Sequence, residues 1–333
     1  MAVLGNDNAW LARVREDIID PEREIVDPHH HLWQREVWNY ELEALWADTG
    51  DGHNVVQTVF LECRSEYLEE GPEHLRPVGE TAYVASLAAA SERDPSQATI
   101  AAIVAHADLE HPELDEILDA HEAAAEGRFR GIRHAGARDP NPEVLLIPGR
   151  GKAGLYGSED FRRGVARLGE RGYTYDTWHY HHQLQDYAEL ARAVPGTTMI
   201  LDHFGTPLGV GPYADRKQEI FAAWKEDIEA IASCPNVVAK LGGLAMPDNG
   251  FGWDKRATPP SSDEFCQAQR DYYLHTIECF GPDRCMMESN FPVDRWSLSY
   301  PVLFNGLKKI VQDFSASEKA AMFHDTAARV YRL

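Results

Sequence analysis

The segment Asp27-Pro28-His29-His30-His31 follows the apolar pair Ile25-Val26. Side chains alternate along a strand, so His29 and His31 share one face and Asp27 points the same way, while His30 points away. Two imidazoles and a carboxylate at one strand end can hold a divalent metal or carry proton chemistry. An ordinary strand with polar residues at its mouth has the same composition, and the rest of the chain distinguishes the two. Ionisable residues recur at the ends of later apolar runs: Glu62 and Arg64, His106 and Asp108, Arg133 and His134, and Asp176, His179 and His181. Asp202 and His203, Lys240, Glu288 and Asn290, and then Asp294 and Arg295 continue the series. Such groups seldom collect at the same end of successive strands unless they are functional or paired. Alternation sends only one of each adjacent pair inward. His203 is expected in the lumen with Asp202 making a structural contact, and only one of Arg133 and His134 is expected to point in.

The elements that must position these residues are short runs rich in Val, Ile, Thr and aromatics, as expected of strands. They span 24–31, 54–63, 98–106, 129–135, 173–179, 197–204, 236–242 and 284–291. Helical patterns separate them. In 112–124, Leu114, Ile117, Leu118 and His121 recur at i, i+3, i+4 and i+7, with Pro112 near the first turn. In 214–232, Ile220, Phe221, Trp224, Ile228 and Ile231 form a stripe. Further helices fit 78–92, 159–170, 183–193, 263–280 and 315–329, and a long loop rather than a helix follows the first strand. Strands alternating with helices imply a parallel sheet, and eight such units imply a closed (β/α)8 TIM barrel. An open doubly wound sheet would more often carry a Gly-rich dinucleotide turn after the first strand, which is absent. Residues 1–22 read as an N-terminal arm and 23–333 as a single barrel domain.

Composition narrows the function classes. The 333 residues carry a net charge of −22 and no run of Lys or Arg, against nucleic-acid binding and docking on anionic membranes. Five scattered cysteines without C-x-x-C read as free thiols. The N-terminal stretch lacks the apolar core of a signal peptide, and no run of 18 apolar residues exists, so a cytoplasmic location is expected. A homodimer is the default assembly.

Three loops at the active-site end of such a barrel are long, at 33–53, 136–158 and 243–262. The first carries Trp33, Trp38, Tyr40 and Trp46, and the third Phe251 and Trp253; these aromatics can build a pocket or pack the loops together. GRGKAG at 149–154 lacks P-loop spacing and reads as a mobile loop.

Taken in order, DPHHHLW (27–33), VFLEC (59–63), FRGIRH (129–134), LDHFGTP (201–207), VVAKLGGL (237–244) and RCMMESNFPVD (284–294), with the closing AARVYRL, form a pattern. The chain resembles the amidohydrolase-2 family of the amidohydrolase superfamily, within its lactonase-like group. The resemblance covers nearly the whole chain and implies a distorted TIM barrel. It also implies hydrolysis of sugar lactones or of carboxylated pyrone and muconolactone-type compounds. Other members of the wider branch are metal-dependent decarboxylases of aromatic acids. By motif, His29 and His31 are the strand-1 pair, His203 the strand-6 histidine and Asn290 the strand-8 position.

At that last position the chain departs from the family, which has an Asp acting as general base in a G-S-D-W-P-like string. An amide has no titratable acceptor near neutral pH. Glu288 on the same strand face could supply the carboxylate, a histidine or Asp294 could act as base, or the chemistry differs or is absent. With an anionic ligand lost, a metal-free site is as open as one with a divalent cation on His29, His31 and His203, zinc first and manganese second. The expected reaction is opening of a lactone or cyclic ester, carboxylated or aromatic-derived, by water attack on a polarised carbonyl. His29, His31, His203, Glu288 and Asn290 are the expected catalytic set. Glu62, Arg64, Arg133, His179, Trp253 and Arg295 are expected around a small anionic substrate, because guanidinium grips carboxylates bidentately. A metal-dependent decarboxylase and a non-catalytic binding barrel are the alternatives.

Overall fold

The computed structural model describes residues 8–34 and 39–333. Trp38 of the expected aromatic loop and residues 1–7 of the expected arm lie outside the described residues. Eight parallel strands run in chain order: β1 (Glu24–His30), β2 (Asn54–Leu61), β3 (Thr99–Ala105), β4 (Phe129–Arg133), β5 (Thr174–Thr177), β6 (Met199–Leu201), β7 (Val237–Leu241) and β8 (Cys285–Met287). After α1 (Asn8–Leu11) come α2 (Leu42–Thr49), α3 (Val78–Ser91), α4 (Leu114–Ala124), α5 (Glu159–Glu170) and α6 (Leu184–Ala193). They are followed by α7 (Lys217–Ala232), α8 (Ser262–Phe280), α9 (Tyr300–Ile310), α10 (Ala316–Ala320) and α11 (Thr326–Tyr331). Among the described residues no helix is long and apolar enough to cross a membrane, and all five cysteines are free.

This is a (β/α)8 barrel with a distorted seam. β8 and β1 do not pair as regular strands. The chain just beyond β8 closes the ring, with Asn290 N donating to His29 O at 3.0 Å and His31 N to Phe291 O at 2.8 Å. Each expected strand appears; Arg133, Asp176 and Lys240 lie within the regular pairing, whereas Asp202, His203, Glu288 and Asn290 lie beyond it. β6 stops at Leu201 and β8 at Met287, and the chain then turns through left-handed φ values at His203 (53°) and Asn290 (56°). Such values are uncommon for residues other than glycine and redirect side chains that strict alternation would place elsewhere.

The lumen is layered. Val26, Val59, Leu61, Ala102, Val104, Ile200, Val238 and Met286 form its apolar floor together with Ala327, Val330 and Tyr331 of α11. Beside the start of β4, Arg130 Nε donates to Tyr331 O at 2.6 Å and anchors this C-terminal plug. Two residues further along, the same faces turn polar: Ile200 is followed by Asp202, Val238 by Lys240 and Met286 by Glu288. The outer faces of the strands bury the larger core against the helices.

Three helical expectations change. The loop after β1 contains α2, whose Leu42 and Leu45 are buried. α9 was not among the expected helices, and it is buried on almost every side, from Tyr300 through Lys308. The 315–329 helix is interrupted by a π-helical turn at Ala321–Asp325.

His121 of α4 is fully buried, its Nδ1 2.8 Å from Thr81 Oγ1 and its Nε2 3.0 Å from His106 O. Burial pushes its pKa down to about 4. An imidazole held neutral in the fold contributes stability above its unfolded pKa and loses it as pH falls toward the folded value. The advantage of the wild type over His121→Gln, read from urea midpoints, should therefore shrink by about 2 kcal/mol between pH 8 and pH 5.

Candidate active site

The polar layer centres on Lys240, fully buried on β7. Its Nζ lies 2.9 Å from Asp176 Oδ1, 3.3 Å from Asp202 Oδ1 and 3.5 Å from His29 Nδ1. Burial alone would strip its proton, but Asp176, Asp202 and Glu288 more than offset this and raise its pKa. Asp176 is shared with the floor, where Tyr331 donates to the same Oδ1 at 2.5 Å and Thr174 Oγ1 to Oδ2 at 3.1 Å.

Glu288 stands between two imidazoles, with Oε2 2.9 Å from His29 Nδ1 and Oε1 2.7 Å from His203 Nδ1. Its role differs from that of a base facing substrate, because it does not reach the cavity wall and instead holds both rings by the same nitrogen. Gly242 and Gly243 make room for this pairing. A Cβ on Gly242 would fall 2.4 Å from Glu288 Cγ, and one on Gly243, itself at φ 74°, 2.2 Å from His203 Nδ1. The Nε2 edge of His29 meets His31 Nε2 and Arg133 Nη1, each at 3.3 Å, while His31 Nδ1 donates to Leu61 O at 2.9 Å.

Arg133, at the end of β4, ties this centre to Glu62. Its Nε is 3.0 Å from Glu62 Oε1, its Nη2 donates to the Glu62 carbonyl, and Nη1 lies 3.8 Å from Asp202 Oδ2. Four buried carboxylates, Glu62, Asp176, Asp202 and Glu288, thus face two fixed cations, Lys240 and Arg133. Burial pushes Glu288 up to about 8 and Asp202 to about 6, against the pull of Lys240. Burial also lowers His203 to about 3 and His29 and His31 well below the usual range. The excess negative charge is balanced by protons or by a bound cation. The donor set suits a cation: donor atoms of His29, Asp202 and His203 lie within 4.8 Å of one another, and neither Asp202 oxygen has a hydrogen bond.

Above this cluster opens a cavity of about 650 Å³ whose wall includes His31, Glu62, Arg64, Arg133, His203 and Asn290. Three expected substrate contacts lie elsewhere. His179 is buried behind the wall, its Nδ1 3.2 Å from Tyr156 OH, because β5 ends at Thr177 and presents Trp178 to the cavity instead. Trp253 packs on Phe251 with ring centroids 4.9 Å apart, and Arg295 pairs with Asp48 at 3.0 Å. Of the first aromatic loop, Trp33 lines the cavity, whereas Trp46 bonds Ala98 O and Tyr40 bonds Asp48.

Asp27 also differs from expectation. A bulge between Asp27 and His30 breaks the alternation, and Asp27 accepts from Ser289 N at 2.9 Å and Tyr300 OH at 3.0 Å, outside the lumen. His30 does turn away from its neighbours, onto Thr58. Asp202 keeps the inward phase of Ile200, and the left-handed turn at His203 brings that ring in too, so both members of the pair face the centre. The inward phase of Ile200 was the signal that could have placed Asp202. Arg133 and His134 both line the cavity because β4 ends between them. Arg150 comes from the stretch expected to be mobile. That stretch is pinned, with Gly149 N donating to Tyr180 OH and Gly151 N to Ala137 O, each at 2.8 Å. Trp178 and Trp296 complete the aromatic part of the wall.

Asn290 donates from Nδ2 to Asp294 Oδ1 at 2.9 Å, and Ala245 N donates to Asp294 Oδ2 at 3.1 Å, so Asp294 is saturated and absent from the wall.

The sequence model of the amidohydrolase family matches residues 26–333. The chain is 31% identical to the uncharacterized protein y4mH of Sinorhizobium fredii, across 93% of this chain and 98% of that protein. It is 28% identical to an L-fucono-1,5-lactonase of Burkholderia multivorans, across 92% and 96%. An amidohydrolase from Burkholderia multivorans, solved with bound HEPES, superposes with a TM-score of 0.73 at 25% identity, across 93% and 99%.

Removing the Lys240 ammonium leaves its carboxylate partners without compensation. Lys240→Met should cost about 3–5 kcal/mol near pH 8. The loss should shrink as pH falls toward 5.5, because carboxylates raised in the fold gain stability on taking up protons. Urea unfolding of both proteins at the two pH values checks this, and a penalty independent of pH would contradict it.

Proposed function

This chain belongs to the amidohydrolase family, and we propose that it opens a lactone or related cyclic ester carrying a carboxylate, by water attack on the ring carbonyl. The observation that carries this reading is the clamp of Glu288 on His29 and His203 beneath a cavity whose wall also bears Arg64, Arg133 and Arg150. The clamped imidazoles are oriented by one carboxylate, so polar groups aimed at a carbonyl oxygen need no rearrangement as charge develops on it. Likeness to an L-fucono-1,5-lactonase favours an ester substrate.

Within this reading His29, Asp202 and His203 would hold a divalent cation, with His31 beside them, and nitrogen and carboxylate donors favour zinc over manganese. Such a cation supplies Lewis-acid polarisation of the carbonyl. Arg133 is saturated by Glu62 and orders the wall. Arg64 and Arg150, which have no carboxylate partner among the described residues, are the guanidinium groups suited to a substrate carboxylate. In a chain of net charge −22 they give an anion a local positive landing place.

A decarboxylase of an aromatic acid is the second reading, favoured by the planar surfaces of Trp33, Trp178 and Trp296 around the same arginines. A pH-indicator screen of carboxylated and sugar lactones, run beside carbon dioxide release from aromatic acids, separates the two. Lactone opening without carbon dioxide is expected, and carbon dioxide release without lactone opening would overturn the proposal. Turnover of neither would leave a binding barrel. Elemental mass spectrometry should find about one equivalent of divalent metal, lost in His29→Ala, whose turnover falls at least ~100-fold. Arg150→Ala should raise KM for a carboxylated lactone about tenfold and leave kcat nearly unchanged, since a charge-assisted bond is worth about 1.5–3 kcal/mol.

A further inference from the structure

Lactone hydrolysis needs a group that takes a proton from the attacking water, and position 290 is an amide. The carboxylates around the centre are committed elsewhere. Asp27 is held by Ser289 and Tyr300, Asp176 by Lys240, Tyr331 and Thr174, and Asp294 by Asn290 and Ala245, while Glu288 is bonded to His203 through Oε1 and its Oε2, without a hydrogen bond, lies 2.9 Å from His29 Nδ1. Asp202 faces Lys240, and none of these five reaches the cavity wall. Among the described residues Glu62 is the one carboxylate on that wall. Its Oε1 is engaged by Arg133 Nε at 3.0 Å, while its buried Oε2 has no hydrogen-bond partner.

The imidazoles on the wall fit the role less well. His31 donates from Nδ1 to Leu61 O with its Nε2 against His29 Nε2 at 3.3 Å, and His203 donates from Nδ1 to Glu288; the lone pair each keeps on Nε2 would serve the cation of the proposed function rather than a water. His134 Nδ1 accepts from Leu109 N, so its neutral form carries the proton on Nε2 and cannot accept there. His106 donates from Nδ1 to Arg133 O at 3.1 Å and likewise keeps an Nε2 lone pair, and as it is not assigned to the cation it is the rival that remains. Glu62 has the stronger geometric claim. The same guanidinium that grips Oε1 also touches His29 Nε2 at 3.3 Å, so one rigid planar group sets the carboxylate against the carbonyl-polarising centre.

We propose that Glu62 is the catalytic general base, its Oε2 taking the proton of the attacking water in place of a strand-8 carboxylate. This rests on the lactone-hydrolysis reading. The water oxygen bonds to the ring carbonyl carbon as its proton passes to Oε2. The acyl bond to the ring oxygen then breaks, and that oxygen recovers the proton from Glu62. One lactone and one water give one hydroxy acid, with Glu62 returned to its carboxylate. The Arg133 guanidinium keeps the group ionised: burial alone would raise its pKa, and the charge of Arg133, with a smaller pull from Arg64, brings it below the usual value.

The test uses a lactone that the wild type opens. Glu62→Gln preserves the acceptor for Arg133 Nε and should keep the thermal midpoint and hold KM within a few-fold. Its kcat should fall about 10²–10⁴-fold, the range for losing a general base. Glu62→Ala should lose as much and recover at least ~10-fold on adding formate, which a purely structural role would not show. His106→Asn should lower kcat far less than Glu62→Gln does. A Glu62→Gln enzyme with kcat near wild type, or a large loss in His106→Asn alone, would overturn the assignment and leave the hydrolase reading standing. A wild type that opens no lactone would remove both.

Discussion

A single ammonium, Lys240, makes the centre of this barrel possible. Carboxylates buried together repel, and each costs several kcal/mol to take out of water. Lys240 Nζ lies within 3.5 Å of Asp176, Asp202 and His29, so one charge stabilises groups from β1, β5 and the end of β6 together. Its position follows from β7, where Val238 packs into the apolar floor and the residue two further on rises above it. The ammonium also stands 5.5 Å from the Tyr331 ring, so the C-terminal plug contributes a cation–π contact as well as a hydrogen bond to Asp176. The floor of the barrel and the chemistry above it are thus one connected polar column.

Two arginine and glutamate contacts extend that column toward the cavity. Arg133 carries it from Asp202 and His29 to Glu62, and Glu288 carries it from β8 to both imidazoles. These contacts divide the histidines. His29 is held in the interior and His31 and His203 border the cavity, while His30 and His121 serve packing on the outer side of the strands. Fixing both nitrogens of a ring, or one nitrogen and the ring plane, decides which edge remains for a ligand.

Much of this was legible in the chain because β/α periodicity and polar residues after apolar runs are local signals. The eight strands, His29, His31 and His203 at the centre, and Glu62, Arg64 and Arg133 on the wall could be read from position alone. What could not be read depended on where strands stop. Taking His203 as the inward member set Asp202 outward, whereas Asp202 keeps the phase of Ile200 and a left-handed turn brings His203 in as well; alternation with His29 set Asp27 inward, and a bulge at Asp27–His30 reversed that. His179 was lost for the same reason, because β5 ends two residues before it. Arg150, Trp178 and Trp296 enter through irregular loops whose course no periodicity encodes, and Trp253 and Arg295 illustrate the converse, motif-adjacent residues used up by packing and pairing.

The amide at position 290 has a physical rationale that does not require a dead site. Asp294 is buried four residues later, its carboxyl pushed well above the usual range by burial, and Asn290 supplies one of its two hydrogen bonds. An aspartate at 290 would set a second carboxylate against it at hydrogen-bonding distance, with Glu288 nearby, and like charges so placed cannot both ionise. An extra proton would then have to be held in a region that already carries more acid than base. The amide removes that conflict and gives Asp294 a donor. A proton acceptor must then come from a part of the wall where a cation already offsets the charge, and the one such carboxylate among the described residues is Glu62, beside Arg133.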